Sequence, residues 1–300
     1  MKYYLIAGEA SGDLHASNLI KSIRKFDTEA RLRCFGGDLM REAGADLHLH
    51  YREMAMMGMV EVLKKYPVIR KHKVKCRQDI LAFNPDVLIL VDYSGFNLPM
   101  AKFAARNNIK VIYYISPKLW AWAKWRVKVV QRCVHKMFVI LPFEKDFYGG
   151  YAVDAEYYGN PVVDSIHAFE KNYNPGNFRS ENTLDEKPIV ALLAGSRKQE
   201  ISDLLPEMLT AAAQFPEHQF IIAGAPSIQP SFYEQIIPGA NVKVVYNQTY
   251  TLLKHAAAAV VTSGTATLET ALLNVPEVVV YKTNPVTFFV GSFLVHVKFF

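Results

Sequence analysis

The sequence predicts an α/β fold of two doubly wound domains, each a parallel sheet with helices on both faces. Three observations carry that expectation. Short apolar runs ending in small-residue turns alternate with stretches of helical spacing. The pattern breaks in a polar, turn-rich stretch and then restarts. The chain has 300 residues, 51% hydrophobic and 21% charged, enough for two cores at roughly 100–200 residues per domain.

The elements follow in order. Tyr3–Ala7 is a short apolar run, and Leu14 to Ile23 then has helical spacing. Leu32–Phe35 reads as a second strand, and His48 and His50 alternate on another. Val87–Val91 is wholly apolar between Pro85-Asp86 and Asp92, the mark of a buried parallel strand. Lys110–Ile115 and Lys136–Leu141 repeat it. Gly159-Asn160-Pro161, Asn172 to Asn177 and Ser180 to Lys187 are turn-rich, which puts a boundary in 159–187. The expected domains are 1–165 and 166–300. Strands are then expected at Pro188–Leu193, His218–Ala223, Val242–Tyr246, Ala258–Val261 and Glu277–Tyr281, and a helix over Glu200–Ala213. Two such sheets leave a cleft at the carboxyl ends of their strands, so the turns after strands are where chemistry is expected.

Composition narrows the classes. The net charge of +6 suits an anionic partner without choosing one. Three scattered cysteines and the absence of any CxxC argue against a zinc site or a disulfide framework. The nine histidines form no ligand pattern, and no HExxH or DxD-type pair occurs, so no metal is expected. Gly195-Ser196 lacks the flanking glycine of a nucleophile elbow. Met1-Lys2 leads straight into a strand, so no signal peptide is expected. No run approaches roughly 18–20 apolar residues; Val286 to Val297 is short and broken by Gly291, Ser292 and His296. A soluble or peripheral, cytoplasmic protein is expected.

Four turns could carry chemistry. Ala194-Gly195-Ser196-Arg197 follows a strand and opens a helix. Small residues admit a close ligand, helix-start N–H groups favour an anion, and Arg197 offers a fork for phosphate oxygens. The alternative is a plain strand-to-helix turn with a solvated arginine. Ser263-Gly264-Thr265 also joins strand to helix, with Glu269 one turn in, within reach of a sugar diol. Alternatively Ser263 or Thr265 caps the helix and Glu269 meets its dipole. Gly8 to Asp13, with Glu9 and Ser11, is a small-residue turn without GxGxxG; Gly36-Gly37 stands where a dinucleotide fold wants an acid, so NAD is disfavoured. Asp13 reads as a helix cap or, with Glu9, as a group facing the cleft. Asp92 ends a central strand ahead of Tyr93-Ser94-Gly95-Phe96-Asn97 and reads as a general base or a turn former.

Two further stretches are open between core and surface. Tyr113 to Arg126 holds all three tryptophans among Lys118, Lys124, Arg126 and Lys128. Met54 to Ile69 sets Met56, Met57, Met59, Val62 and Leu63 beside basic residues, which fits a peripheral membrane patch or an amphipathic core helix.

Together these motifs resemble the lipid-A-disaccharide synthase family. The residues that carry it are Gly8 to Asp13, Tyr114 to Trp122, Gly195-Ser196-Arg197 with Glu200, and Ser263 to Glu269, in the family's order over nearly the whole chain. The resemblance implies two Rossmann-like domains facing a cleft, the GT-B type, with the first domain taking the acceptor and its lipid and the second the donor. It implies UDP-2,3-diacylglucosamine as donor and 2,3-diacylglucosamine 1-phosphate as acceptor. The product would be a β-1,6-linked disaccharide 1-phosphate plus UDP, formed with inversion, without metal or cofactor and without nucleic acid. Arg197 would meet the diphosphate, Glu269 the uridine ribose, and Glu9, Ser11 and Asn97 the acceptor side. Acylated substrates strengthen the membrane-patch reading and place the protein peripherally on the inner face of the bacterial inner membrane; a homo-oligomer remains open. Another UDP-sugar enzyme of this fold, an epimerase or peptidoglycan glycosyltransferase, would share the acid at Glu269 but not the Tyr114–Trp122 block. A non-catalytic nucleotide-binding module would bind UDP without releasing it from an acylated donor.

Two departures stand out. The family often has an aspartate where this chain has Gly95, which leaves Asp92 or Asp13 for the base. The resemblance also implies residues beyond Phe300, so a chain ending there is expected to have an incomplete second domain and to be poorly active.

Overall fold

The computed structural model describes residues 1–54, 59–237 and 242–282, with backbone only at 54 and 59–66. The chain divides into two compact units, one ending at Pro161 and the next starting at Val162. The turn-rich stretch expected to hold the boundary carries a helix, Pro161–Asn172, whose Val162 and Ile166 join the core of the second unit. Its few apolar residues lie among turn signals, which hid it.

The first unit holds seven parallel strands: β1 (Lys2–Ala7), β2 (Arg31–Gly36), β3 (Asp46–His50), β4 (Val87–Val91), β5 (Lys110–Tyr114), β6 (Lys136–Val139) and β7 (Ala155–Tyr157). Their spatial order is β3-β2-β1-β4-β5-β6-β7. The three-residue edge strand β7 had no sequence signal. In the second unit β8 (Ile189–Leu193), β9 (Gln219–Gly224), β10 (Lys243–Tyr246), β11 (Ala256–Thr262) and β12 (Glu277–Val280) stand in the order β10-β9-β8-β11-β12.

Both faces of the first sheet are buried, which is why its strands read as unbroken apolar runs. Tyr4, Ile6, Leu88, Leu90, Val111 and Tyr113 pack on one face. Leu5, Ala7, Ile89 and Val91 pack on the other. Each buried aliphatic side chain stabilises the fold by roughly 1.5–3 kcal/mol.

Strand order decides where ligands can sit. The chain winds outward from β1, returns to lay β4 beside it, and winds away on the other side; β8 and β11 repeat the manoeuvre. Ala7 pairs with Val91, and Leu193 with Val261. The turns after β1 and β4 therefore leave the first sheet side by side at its reversal point, and those after β8 and β11 do so in the second. Open α/β sheets bind ligands at such points.

Candidate functional site

In the first unit, the turn after β1 is shaped by Gly8. A Cβ there would lie 2.2 Å from Cδ1 of Tyr93, so only glycine lets that ring cover the turn. Glu9, in extended conformation, precedes the helix Ala10–Phe26, and Ser11 lies half-buried in its first turn. Asp13 faces elsewhere. Its Oδ1 accepts the N–H of Gly37 at 2.8 Å and of Met40 at 3.1 Å, and its Oδ2 accepts that of Leu39 at 3.2 Å. It thus caps the helix Asp38–Glu42 from a distant element and is only 3% exposed. Burial raises its pKa, and the three backbone donors oppose that rise. The expectation that Asp13 faces the cleft is corrected: both its oxygens are taken up by the main chain.

Asp92 ends β4 in an unusual conformation. It and Tyr93 both have positive φ, 42° and 43°, and Ile115 after β5 has 67°. Left-handed backbone is disfavoured for side chains with a Cβ, most of all a β-branched one. Here the main chain holds it. The Asp92 N–H donates to the Ile115 carbonyl at 3.1 Å. The Asp92 carbonyl accepts from the Tyr113 hydroxyl at 2.6 Å and from the Asn97 amide at 2.8 Å. Asn97 also donates to the Val91 carbonyl at 3.0 Å and is fully buried. Expected beside the acceptor, it instead satisfies two carbonyls that the turn frees from the sheet.

The Asp92 side chain touches solvent although protein crowds around it. Solvent contact decides whether a ligand can reach it; the crowding decides how poorly it holds charge. Its pKa is pushed up to about 6, first by desolvation and then by the charge of Glu9, with Lys118 and the Tyr93 N–H pulling down and Glu144 adding a smaller upward push. Gly95, where the resemblance implies an aspartate, is exposed, and a Cβ there would meet nothing within 4 Å.

The tryptophan block is pinned by a residue that sequence reading missed. Glu144 is fully buried in the first turn of the helix Pro142–Gly149. Its Oε1 accepts from Ser116 Oγ at 2.9 Å and Trp120 Nε1 at 3.1 Å. Its Oε2 accepts the N–H of Ile140 and Leu141 at 3.1 and 3.0 Å. Proline at the helix start and glutamate two residues on were the available signal. Tyr148 on the same helix donates to the Pro117 carbonyl at 2.5 Å. Beyond the pinned segment, Trp122 and Trp125 are 47% and 71% exposed. The Arg126 guanidinium lies 5.9 and 5.8 Å from their rings and donates to the Ser94 carbonyl.

In the second unit, Gly195 has φ of 109°, and a Cβ there would lie 2.7 Å from Glu200 Oε2. That carboxylate accepts the N–H of Ser196 at 3.1 Å and of Arg197 at 3.2 Å. Its other oxygen pairs with the Arg197 guanidinium at 2.9 Å. The donors expected to be open to an anion at the start of helix Lys198–Ala212 are therefore held by an internal carboxylate, three residues along the same helix. The turn after β11 differs. Gly264 precedes the helix Thr265–Leu272 with no side-chain cap, and Ser263, Gly264 and Thr265 are exposed. Neither Ser263 nor Thr265 is the cap. Glu269 accepts from the Tyr250 hydroxyl at 2.6 Å, and burial raises its pKa against that bond. Tyr250 carried no sequence signal.

Among the described residues, no three His, Cys, Asp or Glu side chains gather to hold a metal, and no helix is long and apolar enough to cross a membrane. Met56 and Met57 lie outside the described residues. Met59, Val62 and Leu63 fall in the helix Met59–Phe83, where only the backbone is described. The membrane patch expected there is outside what the structure describes.

Known proteins decide the family. The family model for lipid-A-disaccharide synthetase matches residues 3–300. The chain belongs to the lipid-A-disaccharide synthase family. A lipid-A-disaccharide synthase from Syntrophus aciditrophicus is 38% identical, over 98% of this chain and 78% of its own. One from Coxiella burnetii is 37% identical, over 98% and 79%. Among solved structures, UDP-GlcNAc 2-epimerase from Neisseria meningitidis, bound to UDP-GlcNAc, superposes with a TM-score of 0.68 at 14% identity, covering 95% of this chain and 84% of that one. The Methanocaldococcus jannaschii UDP-GlcNAc 2-epimerase, with UDP-GlcNAc and UDP, gives 0.68 at 16%, covering 96% and 87%. At such identity the likeness shows the fold, the GT-B type. As a member of the lipid-A-disaccharide synthase family, this chain is a hexosyltransferase of lipid A biosynthesis, acting on a UDP-sugar and a lipid-sugar. The epimerase, peptidoglycan-transferase and non-catalytic readings are not favoured.

Proposed function

We propose that Asp92 is the general base of the transfer and that the second-unit turns hold the UDP. The donor is UDP-2,3-diacylglucosamine and the acceptor 2,3-diacylglucosamine 1-phosphate. Asp92 takes the acceptor 6-hydroxyl proton as that oxygen attacks the anomeric carbon in line, and the bond to UDP breaks with inversion. A base poised near the working pH suits this step, and a carboxylate pushed up to about 6 is mostly ionised at neutral pH yet basic enough to accept a proton. Charge gathering on the leaving UDP is met by Arg197 and the helix-start donors of Ser263, Gly264 and Thr265, with no metal or cofactor required. Glu269, steadied by Tyr250, takes the ribose hydroxyls.

The observation that carries the reading is Asp92, an exposed residue with a crowded carboxylate, at the reversal of the first sheet and beside a tightly held main chain. Asp13, with both oxygens on backbone donors, is left to its cap. UDP release from the diacylated donor in the presence of acceptor tests it. Asp92→Asn should lose turnover while keeping UDP affinity; wild-type turnover removes Asp92 from the base role.

Because its substrates are lipid-sugars, we read the protein as peripheral on the inner face of the bacterial inner membrane. Exposed Trp122 and Trp125 around Arg126, near Lys118, Lys124 and Lys128, support this. Aromatic rings and basic side chains together suit an interface that is apolar within and anionic at its edge.

A further inference from the structure

We propose that Glu144 is a positioning residue of the reaction, acting through the turn after β5 on Asp92. The inference rests on Asp92 as base and goes beyond it, since Glu144 lies on a different element and is fully buried.

The connection is continuous. Glu144 joins two turns at the carboxyl ends of neighbouring strands: Ser116 and Trp120 after β5, Ile140 and Leu141 after β6. Ser116 directly follows Ile115, whose carbonyl accepts the Asp92 N–H. Ile115 is left-handed and β-branched, a conformation that persists only when its surroundings impose it. The hydrogen bond from Ser116 Oγ to a carboxylate is of the strong, charge-assisted kind and holds the residue next to Ile115. Tyr148, one turn further along the same helix, holds Pro117. Asp92 is thus fixed from one side by a turn that Glu144 clamps and from the other by Asn97. Loosening the clamp frees Ile115 to relax, and the base loses its aim without losing its carboxylate.

A second consequence is electrostatic. The charged groups acting on Asp92 are Glu9 on the neighbouring turn, Lys118 in the clamped segment and Glu144, with the neutral Tyr113 and Tyr148 hydroxyls as the further titratable groups near it. Removing the Glu144 charge removes one of the two carboxylates that oppose ionisation of Asp92.

Three variants of the full chain test this. Ser116→Ala and Trp120→Phe each delete one donor and leave Glu144 its two backbone partners. Each should lower kcat at least fivefold, with KM for the UDP-sugar and UDP affinity within twofold of wild type. Glu144→Gln should also lower kcat and move the acid limb of the kcat/KM profile to lower pH. If Glu144→Gln does not fold, the other two decide. Wild-type kcat in folded Ser116→Ala and Trp120→Phe overturns the proposal, as does a folded Glu144→Gln whose acid limb does not move. Asp92→Asn run in parallel separates the two readings. If it keeps turnover, the base assignment fails by itself, and kcat losses in the clamp variants then overturn the route through Asp92.

Discussion

The backbone N–H of Asp92 donates to the carbonyl of Ile115 over 3.1 Å, and both residues have positive φ, 42° and 67°. Two adjacent parallel strands therefore end in left-handed turns that brace each other. Each such residue costs on the order of 1–2 kcal/mol, so the arrangement survives only because Tyr113, Asn97 and the Glu144 clamp hold it. Strain held this way at a strand end is typical of functional sites.

The Asp92 carboxyl sits above the ordinary aspartate value of 3.8, at about 6, and this sets two opposite effects. As a base it must be ionised, so kcat/KM should fall as pH drops through about 6. For stability the sign reverses: a raised folded pKa means ionisation opposes folding, from pH 3.8 upward and in full above about 6. Asp92→Asn should therefore be inactive yet unfold at higher urea than wild type at pH 7, with the gain vanishing near pH 3.5. Equal midpoints at pH 7 would show that the carboxylate is not strained by its surroundings.

Asp13 should behave in the opposite way. Asp13→Ala leaves three backbone N–H groups of the 37–40 turn without their acceptor, at a cost of about 1–3 kcal/mol. Urea unfolding should report that loss, while turnover per folded molecule stays within a few-fold of wild type. A stable but inactive Asp13→Ala would return the residue to the chemistry.

At the second-unit turn, Glu200 pairs with the Arg197 guanidinium that we assign to the diphosphate and also holds the Ser196 and Arg197 N–H groups. Arg197→Ala should weaken UDP binding at least tenfold by calorimetry, in keeping with about 1.5–3 kcal/mol for a hydrogen bond to a charged group. Glu200→Gln weakens the internal competitor and should tighten UDP. Looser UDP in that variant would mean that Glu200 builds the seat instead of occupying it.

All three tryptophans stand between Trp120 and Trp125, so tryptophan fluorescence reports on this one segment. Vesicles of phosphatidylcholine with phosphatidylglycerol, carrying brominated acyl chains, should quench it, and Trp125→Ser should reduce both quenching and co-sedimentation. Binding without quenching would move membrane contact to another face.

Much of this was written in local pattern. Both sheets are legible because strands buried on two faces become apolar runs such as Val87–Val91, and their turns are punctuated by glycine and by hydroxyl residues. The motifs also point to the family, because Gly8 to Asp13 and Tyr114 to Trp122 are contiguous. What local pattern could not settle is where a side chain is used. Asp13 and Asp92 look equally available in sequence. One is spent on a turn that starts 24 residues later in the chain, and the other is left at a strand end touching solvent. Asn97 looks like a ligand contact until the left-handed turn beside it demands an amide. Glu144 pins the tryptophan block, and Tyr250 reaches Glu269, through partners 28 and 19 residues away. Hydrophobic periodicity sets which segments fold and which face they bury; which polar group remains for substrate depends on which main-chain donors and acceptors the completed sheet leaves unsatisfied nearby.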